Sequence, residues 1–268
     1  MIDPRRRRRR MPIFAILLLV AIVAGRRMRE RQAAPESSSD DGDARRRGEI
    51  AGQLQGPAAA ESRDGLAAII LFDVSGSMRD RVREDGGRGE PKIEIARRAA
   101  LDLVRRFEQF AREHPDQPVK VGVYEFSSRT GEPSSRPVVP IGAPDVTAAE
   151  KAIGRMRADG GTPIGDAMIA ATRELRGTGL TRRHVLVVTD GQNTDGFQPG
   201  DVAATLATLT GYDRPSLYFV AFDIGASRFD AVKQAGGLVL PAENAGELNQ
   251  TLDYLLSDKI LVEAPAKR

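Results

Sequence analysis

Three short stretches carry residue types that can do chemistry together. The first is "LFDVSGSM" (Leu71 to Met78), in which Asp73, Ser75 and Ser77 alternate directly after an apolar run. In an extended turn, alternation sends all three side chains to one side, so a carboxylate and two hydroxyls converge. The second is "GGTP", where Gly160 and Gly161 allow the backbone to approach closely and deliver Thr162, and Pro163 suits a helix start. The third is "VVTDGQNTDG", with Asp190 just past a buried strand. The donors gathered this way are hard oxygens, which suit Mg²⁺ or Ca²⁺ rather than a soft metal.

Other chemistries fit less well. A serine nucleophile of the hydrolase type wants G-x-S-x-G and a later histidine as base. Here Val74 and Gly76 flank Ser75, and neither His114 nor His184 stands beside an acid in these loops; both are expected at the surface or a strand edge. The phosphate-cradling G-x-x-x-x-G-K-[ST] pattern is absent. A phosphatase with a strand-end aspartate wants a second carboxylate where Ser75 stands, which leaves an Mg²⁺-dependent phosphoester hydrolase as the weaker alternative. The chain has no cysteine, so thiolate metal sites and cysteine nucleophiles are excluded.

The elements that must position these loops follow from periodicity. From Gly65 onward, apolar strand-like runs alternate with amphipathic helical ones, the pattern of a mostly parallel α/β sheet flanked by helices. "LAAIILF" (66–72), "VKVGVYEF" (119–126), "HVLVVT" (184–189), "SLYFVAF" (216–222) and "GLVLP" (237–241) read as strands. "RPVVPI" (136–141), with two prolines, reads as a short edge strand. Helices are expected from Pro91, from Thr147 with Glu150 as its capping box, from Pro163 to about Leu175, near 200–209 and 229–234, and from Ala245 to about Leu256. In such sheets the loops at the carboxyl ends of strands hold ligands, and all three stretches fall there.

Asp73, Ser75 and Ser77, followed in order by Thr162 in "GGTPIGDAM" and Asp190 in "VTDG", resemble the metal-ion-dependent adhesion site of a von Willebrand factor type A domain. The resemblance runs from about Gly65 to Leu256. It implies a Rossmann-like, doubly wound fold with a short antiparallel edge strand. It also implies that Ser75, Ser77 and, with ligand present, Thr162 bind the ion directly, while Asp73 and Asp190 act partly through water. The expected cofactor is a divalent cation, Mg²⁺ first, with Ca²⁺ or Mn²⁺ as alternatives. The expected partner is a protein that supplies an Asp or Glu carboxylate to the ion's open position, and the chain is not expected to be an enzyme. Nearby, Asp166 is a candidate for orienting a metal-bound water or for favouring its helix N-terminus, and Asn193 and Asp195 for shaping a turn. The charged segment Arg79 to Lys92 reads as an insertion beside the site, and Ser127 to Arg136 as a hairpin that need not lie near it.

The N-terminus has a different character. Arg5 to Arg10 precede an uncharged apolar run, 11–25, and arginines resume at Arg26. This predicts a basic cytoplasmic segment at 1–10 and a transmembrane signal anchor at 11–25, with a cleaved signal peptide as the alternative. A polar tether over 26–64, expected to be disordered, then leads to a domain at 65–257 and a tail at 258–268. The chain is thus expected to be a single-pass membrane protein with its globular part outside the cytoplasm, or secreted if cleaved. A cytoplasm-facing accessory subunit of an ATPase or other complex is the competing arrangement. With the arginines concentrated at the N-terminus, a nucleic-acid role for the globular part has little support.

Overall fold

The computed structural model describes residues 37–56, 61–82 and 89–263; the expected membrane segment at 11–25 lies outside them. Among the described residues no helix is long and apolar enough to cross a membrane. The chain divides into two compact units, Met1–Arg45 and Arg46–Arg268. In the first, the described residues are the opening turns of helix α1 (Ser37–Leu54).

The second unit is built on one six-stranded sheet of β1 (Arg63–Asp73), β2 (Val119–Phe126), β3 (Ser135–Gly142), β4 (Leu180–Thr189), β5 (Ser216–Phe222) and β6 (Leu238–Ala242). Their spatial order is β3-β2-β1-β4-β5-β6. All neighbours pair in parallel except β2 with β3, which is antiparallel and leaves proline-bearing β3 at the edge. Strand β1 is central and buried on both faces, so its sequence is a continuous apolar run rather than an alternating one.

Alternate residues of β1 feed two cores. Leu66, Ala68, Ile70 and Phe72 face α2 (Lys92–Glu113), α3 (Val146–Ile153) and α7 (Ala245–Leu255). Ala67, Ile69 and Leu71 face α4 (Ile164–Gly177), α5 (Pro199–Ala207) and α6 (Asp230–Gln234). In α2 the buried residues Ile93, Ala96, Ala100, Leu103 and Phe107 recur at three- and four-residue intervals, so one stripe of the helix meets the sheet.

Four expectations are corrected. The 26–64 tether is not structureless throughout, because α1 forms within it. Ile50 and Leu54, one helical turn apart, are buried in the second core, and Arg176 donates to the Leu54 carbonyl at 2.9 Å to satisfy a helix-end acceptor. Helix α3 is capped by Asp145, whose side chain accepts from Ala148 N–H, and not by Thr147. The domain does not stop at 257: a π-turn over Leu256–Ile260, closed by Leu261 N–H to Leu256 O at 2.9 Å, buries Leu256 and Ile260. Finally, His184 is fully buried in the interior strand β4, stacked on Tyr218, because β4 has β1 on one side and β5 on the other. His114 is exposed, stacked on Phe110.

Candidate metal site at the strand switch point

From β1 the chain runs to β2 on one side, while β4 occupies the other, so a crevice opens where the carboxyl ends of β1 and β4 diverge. Asp73 is the last residue of β1, and Asp190 follows the last residue of β4. After Asp73 the backbone does not stay extended; a 3₁₀ turn over Gly76–Arg79 folds the serines back. Ser75 N–H donates to Asp73 Oδ1 at 2.7 Å, the Ser75 and Ser77 hydroxyl oxygens lie 3.1 Å apart, and Ser77 Oγ donates to Asp190 Oδ1 at 2.7 Å. Thr189 Oγ1 donates to Asp73 Oδ2 at 2.5 Å. Four of the five expected residues are thus linked by one chain of short hydrogen bonds.

Thr162 arrives on a separate loop that is zipped to the first. Gly76 N–H donates to Gly160 O at 2.9 Å, and Asp159 N–H to Val74 O at 2.7 Å. Gly160 adopts φ +82°, and a Cβ there would lie 2.1 Å from Ser128 O, so the glycine is required by both conformation and space. A Cβ built on Gly191 would lie 3.4 Å from Thr162 Oγ1 and 3.8 Å from Asp73 Oδ2, which brings the threonine hydroxyl to the Asp73 side of the crevice.

The polar residues just outside this group lace the loops together. Asp195 Oδ2 accepts from Ser128 Oγ at 2.7 Å and Thr194 Oγ1 at 2.8 Å, and these bonds hold its carboxyl below the usual range. Thr194 Oγ1 accepts from Thr162 N–H at 2.8 Å. Asn193 Oδ1 accepts from Ile164 N–H at 2.8 Å, capping α4 from another loop, and Asp166 Oδ1 accepts from Phe197 N–H at 3.0 Å. Asp166 therefore pins a loop backbone. The stretch 127–136, read as a hairpin that need not lie near the site, borders it through Ser128, because an isolated bridge joins Ser128 to Gly161.

Two residues here were not anticipated. Lys92, the first residue of α2, is buried, and its Nζ lies 2.9 Å from Asp190 Oδ2 and 2.8 Å from Asp223 Oδ2. Burial opposes its charge, yet the hydrogen bonds to Asp223 and Asp190 hold its pKa above the ordinary lysine value. Both had sequence signals. "PKIEI" places a cation in the first turn of a helix, against the helix dipole, and "VAFD" ends a strand with an aspartate as "LFD" and "VTD" do. The Asp73 carboxyl is pushed up to about 6 by burial, against the lowering effect of its hydrogen bonds from Ser75 and Thr189.

The donor set suits a hard divalent cation: three hydroxyls and two carboxylates, with no sulfur or imidazole. Among the described residues no group of three or more His, Cys, Asp or Glu side chains gathers as a metal cage, so any ion here must rely on the hydroxyls. A fully buried carboxylate whose ionisation is disfavoured is likewise a group that gains from a neighbouring cation.

A doubly wound sheet with an oxygen-donor crevice at its switch point defines the class of protein. Within it, residues 68–192 match the von Willebrand factor type A domain family. Among solved structures, the fold is similar to the PilB minor pilin from Streptococcus sanguinis (TM-score 0.56, 13% identity, covering 74% of this chain and 62% of that one). It is also similar to a von Willebrand factor type A protein from Catenulispora acidiphila (TM-score 0.55, 20% identity, 76% and 47%). A third is the conserved hypothetical protein BatB from Bacteroides thetaiotaomicron (TM-score 0.54, 19% identity, 72% and 98%). At these identities the likeness is one of fold, and the chain spans less than two thirds of the first two. No curated protein matched the sequence.

Proposed function

We propose that this domain binds a partner protein through a divalent cation, Mg²⁺ in the first instance, held by Ser75, Ser77 and Thr162 with Asp73 and Asp190 behind them. The convergence of these side chains from three loops on the switch-point crevice carries the reading. A divalent cation bound there supplies a Lewis-acidic centre that accepts a carboxylate oxygen from outside. The chain's own contribution is to present neutral hydroxyls towards that centre and to keep the two carboxylates hydrogen-bonded and partly withdrawn. A hydrolytic role finds no support at the hydroxyls: His184 is buried within β4, and His114 ends α2 about 33 Å along the helix from Lys92. We further read residues 11–25 as a membrane tether for the domain, on sequence grounds.

Calorimetric titration with Mg²⁺ tests the site. Wild type is expected to bind, and Ser75→Ala combined with Asp190→Ala is expected to lose binding; equal titrations sink the proposal. Partner capture in Mg²⁺ and then in EDTA tests the bridging role, since partners retained equally in both contradict it. A topology reporter fused after Arg268 tests the tether, and a cytoplasmic signal rejects an exported domain.

A further inference from the structure

Lys92 stands where a lysine is costly. Its side chain is only 8% exposed, and it opens a helix whose N-terminal dipole repels cations. It is retained there by two carboxylates. Asp190 is pinned from both sides as a result: Oδ1 accepts from Ser77 Oγ at 2.7 Å and Oδ2 from Lys92 Nζ at 2.9 Å. The other carboxylate, Asp223, has φ 54°, the sole positive φ of a non-glycine among the described residues. Its N–H donates to Ala242 O at 2.7 Å, and its side chain reaches Lys92. A strained strand end is thus aimed at the lysine and not at the serines.

We infer that Lys92 is a built-in counter-charge that holds Asp190 at the margin of the metal position and cancels its charge, so that a bound divalent ion stays net positive and demands an external carboxylate. The inference rests on the metal reading proposed above. Asp73 and Asp190 together would neutralise a divalent ion, and that ion would have little electrostatic call for a third carboxylate. With the ammonium added, the loaded site carries a surplus positive charge in a buried setting, where charges are weakly screened. Asp223 offsets Lys92 only in part, since its side chain is 41% exposed and its charge is screened by water. Lys92 is therefore a positioning and specificity residue: it trades metal affinity for ligand affinity.

The test is Mg²⁺ calorimetry on the full chain, followed by titration of the Mg²⁺-loaded protein with a short glutamate-containing peptide. Lys92→Met is expected to bind Mg²⁺ about three- to tenfold more tightly and the peptide several-fold more weakly, while Lys92→Arg stays near wild type. A lysine with only a structural role gives the opposite metal result, because its loss frees Asp190 and weakens Mg²⁺. If Lys92→Met fails to fold by circular dichroism, Asp223→Asn decides. Asparagine tolerates the left-handed backbone, and loss of this charge is expected to weaken Mg²⁺ about twofold or more without weakening the peptide. Wild type that binds Mg²⁺ no better than Ser75→Ala/Asp190→Ala overturns the metal reading itself. Wild type that binds, with unchanged or weakened Mg²⁺ affinity in Lys92→Met and unchanged affinity in Asp223→Asn, overturns the role of Lys92 alone.

Discussion

Asp73→Asn should stabilise the metal-free protein and destabilise it relative to wild type once Mg²⁺ is present. Asp73 is fully buried, and burial moves its carboxyl from 3.8 to about 6. The folded chain therefore holds this proton more tightly than the unfolded chain. No penalty exists below pH 3.8; the penalty grows as pH rises through about 6, and at pH 8 it amounts to about 3 kcal/mol. Asparagine retains the oxygen that accepts from Ser75 N–H at 2.7 Å, but its amide cannot accept from Thr189 Oγ1, a loss of about 1–1.5 kcal/mol. The net gain in EDTA at pH 8 is about 1–2 kcal/mol, or about 3–6 °C in Tm for a domain of this size. Near pH 4 the penalty falls to about 0.5 kcal/mol, less than the lost hydrogen bond, so there the variant is the less stable of the two by about 0.5–1 kcal/mol. With Mg²⁺ at about a hundredfold its dissociation constant, wild type gains about 2.7 kcal/mol that the variant lacks, and the ranking inverts. Urea denaturation at pH 8 and pH 4, in EDTA and in Mg²⁺, reads all of these. A variant less stable than wild type in EDTA at pH 8 refutes the assignment of Asp73 as a strained, cation-seeking carboxylate.

The same reasoning extends to other positions. Burial, with the neighbouring Arg182, lowers His184 to about 3, so its contribution to stability is full above pH 6.5 and is lost as pH falls towards 3. His184→Phe should shift acid unfolding, followed by circular dichroism, to lower pH. A Cβ on Gly160 would lie 2.1 Å from the Ser128 backbone oxygen, at a residue with φ +82°, so Gly160→Ala should displace the Thr162 loop and weaken Mg²⁺ by about tenfold in calorimetry. Ile50 is fully buried, and Ile50→Ala should cost about 2–5 kcal/mol in urea denaturation, which an unstructured tether would not.

The fold was legible because its strands are unmistakable: β1 and β5 are unbroken apolar runs, and the sheet between them follows from alternation with helices such as α2. The three site loops were legible because each sits at a strand end or helix start with its donor at a fixed offset. Helix α1 was not, since Ile50 and Leu54 are too few to set a period in a polar stretch, and their burial depends on a core in which most of the other residues lie more than a hundred positions later. The same holds for Ser128, which meets Asp195 across 67 residues, and for Lys92, which meets Asp190 across 98. Periodicity locates elements, but it carries no information on which loop tips share an edge of the sheet. His184 was misplaced for a related reason: an ionisable residue near the start of a strand reads as solvent-facing until the strand's neighbours are known.

The hydrogen-bond pattern around the two carboxylates bears on the choice of ion. Each of their four oxygens already has a donor: Ser75 N–H and Thr189 Oγ1 on Asp73, Ser77 Oγ and Lys92 Nζ on Asp190. Neither carboxylate is free to turn both oxygens towards one cation without giving up a buried hydrogen bond. Ca²⁺, which takes six to eight oxygens and commonly a bidentate carboxylate, is therefore poorly served, whereas Mg²⁺, with six short bonds and several retained waters, is matched by hydroxyls that leave room for water. On the metal reading, competition calorimetry should rank Mg²⁺ above Ca²⁺, and Lys92→Met, by releasing Asp190 Oδ2, should narrow that gap. A site that prefers Ca²⁺ in the wild-type chain would mean that these carboxylates leave their donors on binding, and the restraint assigned to Lys92 would be absent.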